Sequence, residues 1–165
     1  TNISGTLNGG GYCFNNTIAE TQNIYNSAAL KTDDTLCVAY YDNNNGLLKY
    51  SCNTGTCSGW AEETVASVNV GAAYYPAEVW DELEYREEVP KDRVKLAFNT
   101  SNEPYIVFHD ATNNSINIAL KENGSWQTYP IGSGGEQLDI DIDTANYIHI
   151  AYIDETGSVR YILGQ

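Results

Sequence analysis

Acidic side chains are the most position-specific polar groups of this sequence, and their oxygens could bind a cation. Asp139, Asp141 and Asp143 alternate with isoleucines, and alternate residues of a β-strand point to one face. Three carboxylates on one face repel one another unless solvent or a cation screens them, and Ca²⁺ prefers oxygen ligands. The sequence predicts no organic cofactor and has no EF-hand spacing, so this strand is its best candidate for a calcium site.

A second set of acids recurs along the chain. Asp42, Asp110 and Asp154 each end a β-rich stretch and open a polar turn. They could line a ring of ligand or calcium sites, but an aspartate that opens a β-turn also caps free backbone N–H groups when no ligand is present. We favour the structural role.

Glycoside hydrolysis would need two placed carboxyl groups, and 22 acidic residues are too many to single out one pair. A sialidase-like site would also need clustered arginines to hold a carboxylate substrate, whereas Arg86, Arg93 and Arg160 occupy non-equivalent positions. Neither His109 nor His149 is accompanied by a Gly-x-Ser-x-Gly nucleophile motif. The sequence therefore predicts no catalytic residue.

Aromatic side chains supply the candidate binding surfaces. Trp60 and Trp126 occupy equivalent positions of an internal repeat, where they either stack on glycans or pack between repeats. The segment 70–93 differs in composition from the rest of the chain and contributes four more aromatic residues: Tyr74, Tyr75, Trp80 and Tyr85. Because insertions into repeats often form binding loops, we expect a glycan or protein ligand there.

The four cysteines and the glycosylation sequons indicate an oxidising compartment. Cys52 and Cys57 flank a short turn sequence, so we predict a Cys52–Cys57 disulfide and, from the remainder, Cys13–Cys37. Four cysteines allow three pairings, and zinc binding is the alternative, although the CxxC spacing is missing. Sequons occur at five positions, which together with the cysteines predict a secreted or cell-surface glycoprotein: Asn2, Asn15, Asn99, Asn113 and Asn123.

An internal repeat must position all these residues. An aromatic residue stands two positions before the aspartate in each of three β-rich stretches, and a polar turn and a second strand follow: Leu36–Asp42, Tyr105–Asp110 and Ile148–Asp154. The last two aspartates are 44 residues apart, and the first interval matches once residues 70–93 are taken as an insertion. A period in the forties built from short strands predicts the four-stranded blades of a β-propeller.

We therefore predict one all-β domain, residues 1–165, with about three blades of four antiparallel strands. The repeats span roughly 27–69, 94–137 and 138–165, and strands within residues 2–18 are expected to complete the last. Three blades are fewer than the usual four to eight. The chain is then part of a longer propeller, or half of a six-bladed ring, or a subunit that lends its N-terminal strand to the next copy in a ring or filament.

Charge and hydropathy exclude two classes of partner. The net charge of −14 argues against nucleic acid, and no run approaches the ~20 apolar residues needed to span a bilayer. No signal peptide is visible. The expected partners are another copy of the chain, the remainder of a longer chain, or a glycan or protein ligand.

The motif Ile150-Ala-Tyr-x-Asp154, a turn, Leu-x-Tyr and a later Trp resembles the repeats of secreted bacterial and archaeal β-propellers, in the sialidase-like and surface-propeller group. The resemblance covers most of residues 27–165, although the Ser-x-Asp-x-Gly-x-x-Trp box typical of that group is missing. It implies a radial array of four-stranded sheets. We expect a non-catalytic extracellular module, not an enzyme, that self-assembles or binds glycan or protein at a surface. Part of a secreted, sialidase-like glycoside hydrolase is the alternative.

Overall fold

The computed structural model describes residues 6–7, 10–11, 25–53, 59–69, 92–135 and 137–165. Every regular element in these ranges is a β-strand, which confirms the predicted all-β class. Among the described residues no helix is long and apolar enough to cross a membrane.

Three antiparallel sheets follow one another along the chain, and each is ordered as in the sequence. Sheet I contains β3 (Asn26–Leu30), β4 (Leu36–Asp42), β5 (Leu47–Asn53) and β6 (Trp60–Ser67). Sheet II contains β7 (Val94–Phe98), β8 (Pro104–Asp110), β9 (Ser115–Glu122) and β10 (Ser125–Ser133). Sheet III contains β11 (Leu138–Ile142), β12 (Ile148–Ile153) and β13 (Val159–Gly164).

The N-terminal region predicted to complete sheet III lies mostly outside the described residues. Of it, β1 (Thr6–Leu7) and β2 (Gly10–Gly11) form a two-stranded ladder with each other. The completion of sheet III by residues 2–18 stays a prediction, as do the single-domain boundaries and the insertion at 70–93.

Turn chemistry explains why the strands end where they do. Asn123 and Gly124, between β9 and β10, have φ angles of 51° and 80°, the pair of positive angles that a tight type I′ hairpin requires. Between sheets II and III the chain passes close to the core at Gly135 (φ 96°). A Cβ there would overlap the Ile116 side chain, so glycine permits the close approach of the two sheets.

The sheets stack face to face through their first strands, because β7 contacts β3 on one side and β11 on the other. We call the face that each sheet turns toward the following sheet its forward face, and the opposite one its rear face. Strand residues alternate between the two. On sheet I, for example, Ala39 and Tyr41 lie forward, whereas Val38 and Tyr40 lie on the rear face.

Two hydrophobic clusters fill the two sheet interfaces. The first joins the forward face of sheet I, including the buried Tyr41 and Leu48, to the rear face of sheet II, including Ile106 and Phe108. The second joins Val107 and Ile116, among others on the forward face of sheet II, to the apolar rear face of sheet III: Leu138, Ile140 and Ile150. Sheet II is thus the only one of the three described sheets with apolar packing on both faces.

The two end faces of the stack carry exposed apolar side chains. On the forward face of sheet III, Val159, Tyr161 and Leu163 are 77%, 62% and 57% exposed. On the rear face of sheet I, Leu30 and Leu36 are 59% and 39% exposed. Tyr40 and Ser51 on the same rear face are buried, so sheet I is open at its β3–β4 hairpin, whereas the forward face of sheet III is open along β13.

The predicted disulfides Cys52–Cys57 and Cys13–Cys37 are wrong, because Cys37 is bonded to Cys52. The antiparallel register of β4 and β5 places these two cysteines directly opposite each other, with their Cα atoms 4.1 Å apart. Cys13 and Cys57 lie outside the described residues. The disulfide itself agrees with an oxidising compartment.

Candidate functional site

The repeated acids Asp42, Asp110 and Asp154 cap the turns that follow the second strand of each sheet, as expected for a structural role. Asp42 accepts from the backbone N–H of Asn44 at 3.1 Å, and Asp110 accepts from that of Thr112 at 2.9 Å. These carboxylates therefore serve the scaffold.

Asp154 is the most heavily bonded of the three. It accepts from the hydroxyl of Thr156 at 2.6 Å, from the backbone N–H of Ser158 at 2.9 Å and from Arg160 Nε at 2.5 Å. The Thr156 hydrogen bond, followed by the Arg160 contact, holds the pKa of Asp154 well below its usual value. Arg160 is engaged by this turn and is not placed for substrate recognition.

The acidic stripe of β11 does not converge on a cation. Asp139 and Asp141 are exposed on the forward face of sheet III and bond to the N–H groups of Ile140 and Ile142. Asp143 instead turns into its own loop and accepts from the N–H of Tyr147 at 2.9 Å. Among the described residues no group of three or more potential ligands is placed to hold a metal ion, so the geometry gives the calcium prediction no support.

The two histidines are also occupied locally. His149 Nδ1 lies 2.7 Å from the Tyr161 hydroxyl and its Nε2 lies 3.4 Å from Asp143. His109 is buried, with Nε2 3.4 Å from Asn114 Oδ1. Arg93 is buried too, over the ring of Tyr25 at 5.3 Å. The described partners of His149 are a tyrosine and an aspartate, not a serine or cysteine.

Trp126, one of the predicted binding residues, lies at the interface of sheets I and II within a group of polar and aromatic side chains. Its Nε1 donates to the Glu63 carboxylate at 2.9 Å, and its ring meets Tyr50 edge to face with centroids 5.4 Å apart. Lys121 Nζ lies 2.7 Å from Glu63 and 5.3 Å from the centre of the Trp126 ring. The tryptophan therefore both packs between repeats and borders an accessible polar surface.

These side chains border a cleft of about 470 Å³ between sheets I and II, which we call the interblade cleft. Its lining combines two carboxylates, two amino groups, two amides and a phenol: Glu63, Glu103, Lys31, Lys121, Asn102, Asn123 and Tyr50. Apolar and aromatic surface with a few convergent polar groups is typical of small-molecule sites. The lining therefore contains both hydrogen-bond donors and hydrogen-bond acceptors, as a polyhydroxyl ligand requires.

The carboxylates of the cleft are held in place. Glu103 accepts from Asn99 Nδ2 at 2.6 Å, while Glu63 is fixed by Lys121 and Trp126. Burial, reinforced by the charge of Glu63, raises the pKa of Tyr50, so its phenol remains protonated and donates to Cys37 Sγ at 3.4 Å. The disulfide thus supports the floor of the cleft, which Cys52 also lines.

The other predicted binding and glycosylation residues divide into three groups. Trp60 is half-buried on the rear face of sheet I, and its buried Nε1 has no hydrogen-bond partner in the described part of the chain. Asn99 is 8% exposed and its side-chain amide is bonded to Glu103, which makes it a poor glycan acceptor. Asn113 and Asn123 are exposed, and their glycosylation stays a prediction. The remainder lie outside the described residues: Tyr74, Tyr75, Trp80, Tyr85, Asn2 and Asn15.

The sequence prediction missed Glu63, Glu103, Lys31 and Lys121. The cleft joins residues of two sheets, and Glu63 and Lys121 are 58 positions apart. A carboxylate and an amino group at such a distance carry no local signal, although the equivalence of Trp60 and Trp126 pointed to one border of the cleft.

Comparison with known proteins supports the fold. No protein-family model and no curated protein matches the chain. Among solved structures, the chain is similar to an exo-β-1,3-galactanase from Phanerochaete chrysosporium determined with galactose, with a TM-score of 0.52 and 15% identity. The match covers 94% of this chain but only 38% of the galactanase chain.

That enzyme is a five-bladed β-propeller glycoside hydrolase. The likeness supports propeller blades for this chain and does not support membership of the sialidase-like group. It also contradicts the prediction of a non-enzymatic module, because the fold neighbour is a hydrolase. At this level of identity the shared feature is the fold: this chain consists of β-propeller blades.

Proposed function

We propose that this chain is the carbohydrate-binding part of a secreted β-propeller glycoside hydrolase. The observation that carries the proposal is the interblade cleft, in a fold shared with a galactanase. Its lining brings carboxylate, amino and amide groups together around the Tyr50 phenol, and these groups can form hydrogen bonds with the hydroxyl groups of a sugar.

Glu63 and Glu103 are the carboxylates to test for a part in hydrolysis. Glycosidases generally use a pair of carboxyl groups on either side of the scissile bond, and this cleft contains two. Glu63 accepts hydrogen bonds from Trp126 and Lys121, and a carboxylate has further lone pairs for a sugar hydroxyl. β-1,3-Linked galactan is the first substrate to try, because the galactanase acts on it.

Glu63→Gln should weaken the binding of β-1,3-galactooligosaccharides about tenfold, since a hydrogen bond to a charged group contributes roughly 1.5–3 kcal/mol. Isothermal titration calorimetry measures the affinity, and galactose release from β-1,3-galactan measures turnover. Glu62→Gln is the matched control. Glu62 is the adjacent residue on the opposite face, bonded to Lys49 at 2.9 Å.

Binding that is reduced in Glu63→Gln but kept in Glu62→Gln supports the cleft as the carbohydrate site. If neither binding nor release of sugar is detected across galactans and other neutral glycans with folded wild-type protein, the proposed function is wrong.

A further inference from the structure

A turn motif links each described sheet to the next. Between the first and second strands of the three sheets, a threonine is followed two residues later by Asp or Asn with positive φ: Thr32 and Asp34, Thr100 and Asn102, Thr144 and Asn146. The three φ angles are 63°, 63° and 65°. A left-handed conformation at the same place in all three turns indicates a shared function.

That function is a contact between neighbouring sheets. Asn102 Oδ1 of sheet II accepts from the backbone N–H of Thr32 of sheet I at 2.8 Å and from the Thr32 hydroxyl at 3.1 Å. Asn146 Oδ1 of sheet III repeats this with Thr100 of sheet II, at 2.9 Å from the N–H and 2.8 Å from the hydroxyl. We call this contact the threonine clasp.

The clasp is unfinished at both ends of the stack. In the described part of the chain no hydrogen-bond partner is found for the Thr144 hydroxyl and N–H or for the Asp34 carboxylate, and both residues are exposed. Thr144 has the same two donors, a backbone N–H and a hydroxyl, that Thr32 and Thr100 contribute to the clasp. Asp34 offers the oxygen that Asn102 and Asn146 provide, and a carboxylate can accept from both the N–H and the hydroxyl of a threonine.

The aromatic residues of the two end faces are also complementary. Tyr161 on the forward face of sheet III holds the place of Tyr50 on sheet I, and Trp60 on the rear face of sheet I holds the place of Trp126 on sheet II. Tyr50 and Trp126 pack edge to face. The exposed Tyr161 ring and the half-buried Trp60 ring are therefore the two halves of a contact that the chain already makes once.

We propose that the forward face of sheet III binds the rear face of sheet I of a second copy of this chain. In this head-to-tail contact Asp34 of one copy accepts from Thr144 of the other, and Tyr161 packs on Trp60. The exposed apolar residues Leu30, Leu36, Val159 and Leu163 become covered, continuing the interfaces that join sheets I, II and III. The contact is heterologous, so the copies form a ring when the rotation closes.

Sedimentation velocity across a range of concentrations tests the proposal on the 165-residue chain, whose monomer mass is 18.2 kDa. We expect species of at least two chains. A forward-face variant, Thr144→Ala/Tyr161→Ser, and a rear-face variant, Leu30→Ser/Asp34→Ala, should each be monomeric. Tyr129→Ser is the control, because Tyr129 is also an exposed tyrosine (42%, against 62% for Tyr161) but lies on the outer strand of sheet II; it should associate like the wild type.

Mixing the two variants gives the decisive measurement. Each retains the face that the other lacks, so an equimolar mixture should give a complex of one copy of each, although either variant alone is monomeric. Circular dichroism of each variant confirms that it is folded.

Three outcomes would overturn the proposal: a wild-type monomer at all concentrations, association that survives the rear-face variant, or a mixture that stays monomeric. In each case the end faces are covered by something else. The carbohydrate assay does not depend on this result, because the interblade cleft lies within one chain.

Discussion

At the level of single residues, an aspartate has the same task after the second strand of all three sheets. Asp42, Asp110 and Asp154 each accept backbone N–H groups of the turn that follows. Asp154 adds the hydroxyl of Thr156 and the guanidinium of Arg160, and these contacts lower its pKa. Its ionised form is therefore favoured by folding.

The consequence is a loss of stability in acid. A carboxyl group whose pKa is lower in the folded than in the unfolded chain stabilises the fold above the unfolded pKa of about 3.9. This stabilisation declines as the pH falls from there toward the folded pKa. Asp154→Asn should be less stable than the wild type at neutral pH, and its unfolding free energy should fall less steeply below about pH 4, as measured by urea unfolding at several pH values.

Asp92→Asn is the control for this experiment. Asp92 is an exposed acid whose one described ion pair is with Lys95 at 3.2 Å, and exposed ion pairs contribute little. Parallel pH profiles for Asp154→Asn and the wild type would show that the turn contacts of Asp154 do not stabilise the fold.

At the level of elements, the disulfide joins β4 to β5 and encloses the turn between them. The bonded cysteines are 15 positions apart, a loop length for which cross-linking stabilises by about 3 kcal/mol through the entropy of the unfolded chain. Cys37→Ala/Cys52→Ala should lower the free energy of unfolding by about that amount, measured by urea unfolding.

Peptide mapping without reduction provides an independent check on the pairing. It should recover one linked pair of peptides that contain Cys37 and Cys52. Recovery of Cys52 linked to Cys57 would contradict the register of β4 and β5.

The strands themselves could be read from the sequence, whereas contacts between them could not. The run of β-favouring residues before the repeated aspartate predicted Leu36–Asp42 with the observed bounds. The disulfide was mispredicted because Cys52 and Cys57 are near in sequence. Yet the hairpin register was available, since Cys37 precedes Asp42 by as many residues as Cys52 follows Leu47.

Glu63 and Lys121 illustrate the part that the sequence could not supply. They meet only because the forward face of sheet I packs against the rear face of sheet II, and nothing local specifies which face of a strand is forward. The threonine clasp, in contrast, was visible as Thr32, Thr100 and Thr144 at equivalent positions.

At the level of the whole molecule, stability should differ among the three sheets. Among the described residues, sheet II contributes to a hydrophobic cluster on each of its faces, whereas sheets I and III each contribute to one. Local opening requires less free energy where fewer apolar contacts are lost. Hydrogen exchange should therefore be slowest in β8 and β9 and fastest in β13, as measured by mass spectrometry of peptides. Equal protection of β9 and β13 in monomeric protein would contradict this gradient.

The threonine clasp also has a consequence for how such a chain can change its length. In the turn of each sheet, the threonine donates to the sheet ahead and the Asn or Asp accepts from the sheet behind, so the motif gives the stack a direction. Because each repeat contacts only its neighbours, a sheet duplicated together with its turn could form the same threonine clasp at either end of the stack or between two other sheets. Blade number is then free to vary by duplication, while the order and orientation of the blades are preserved.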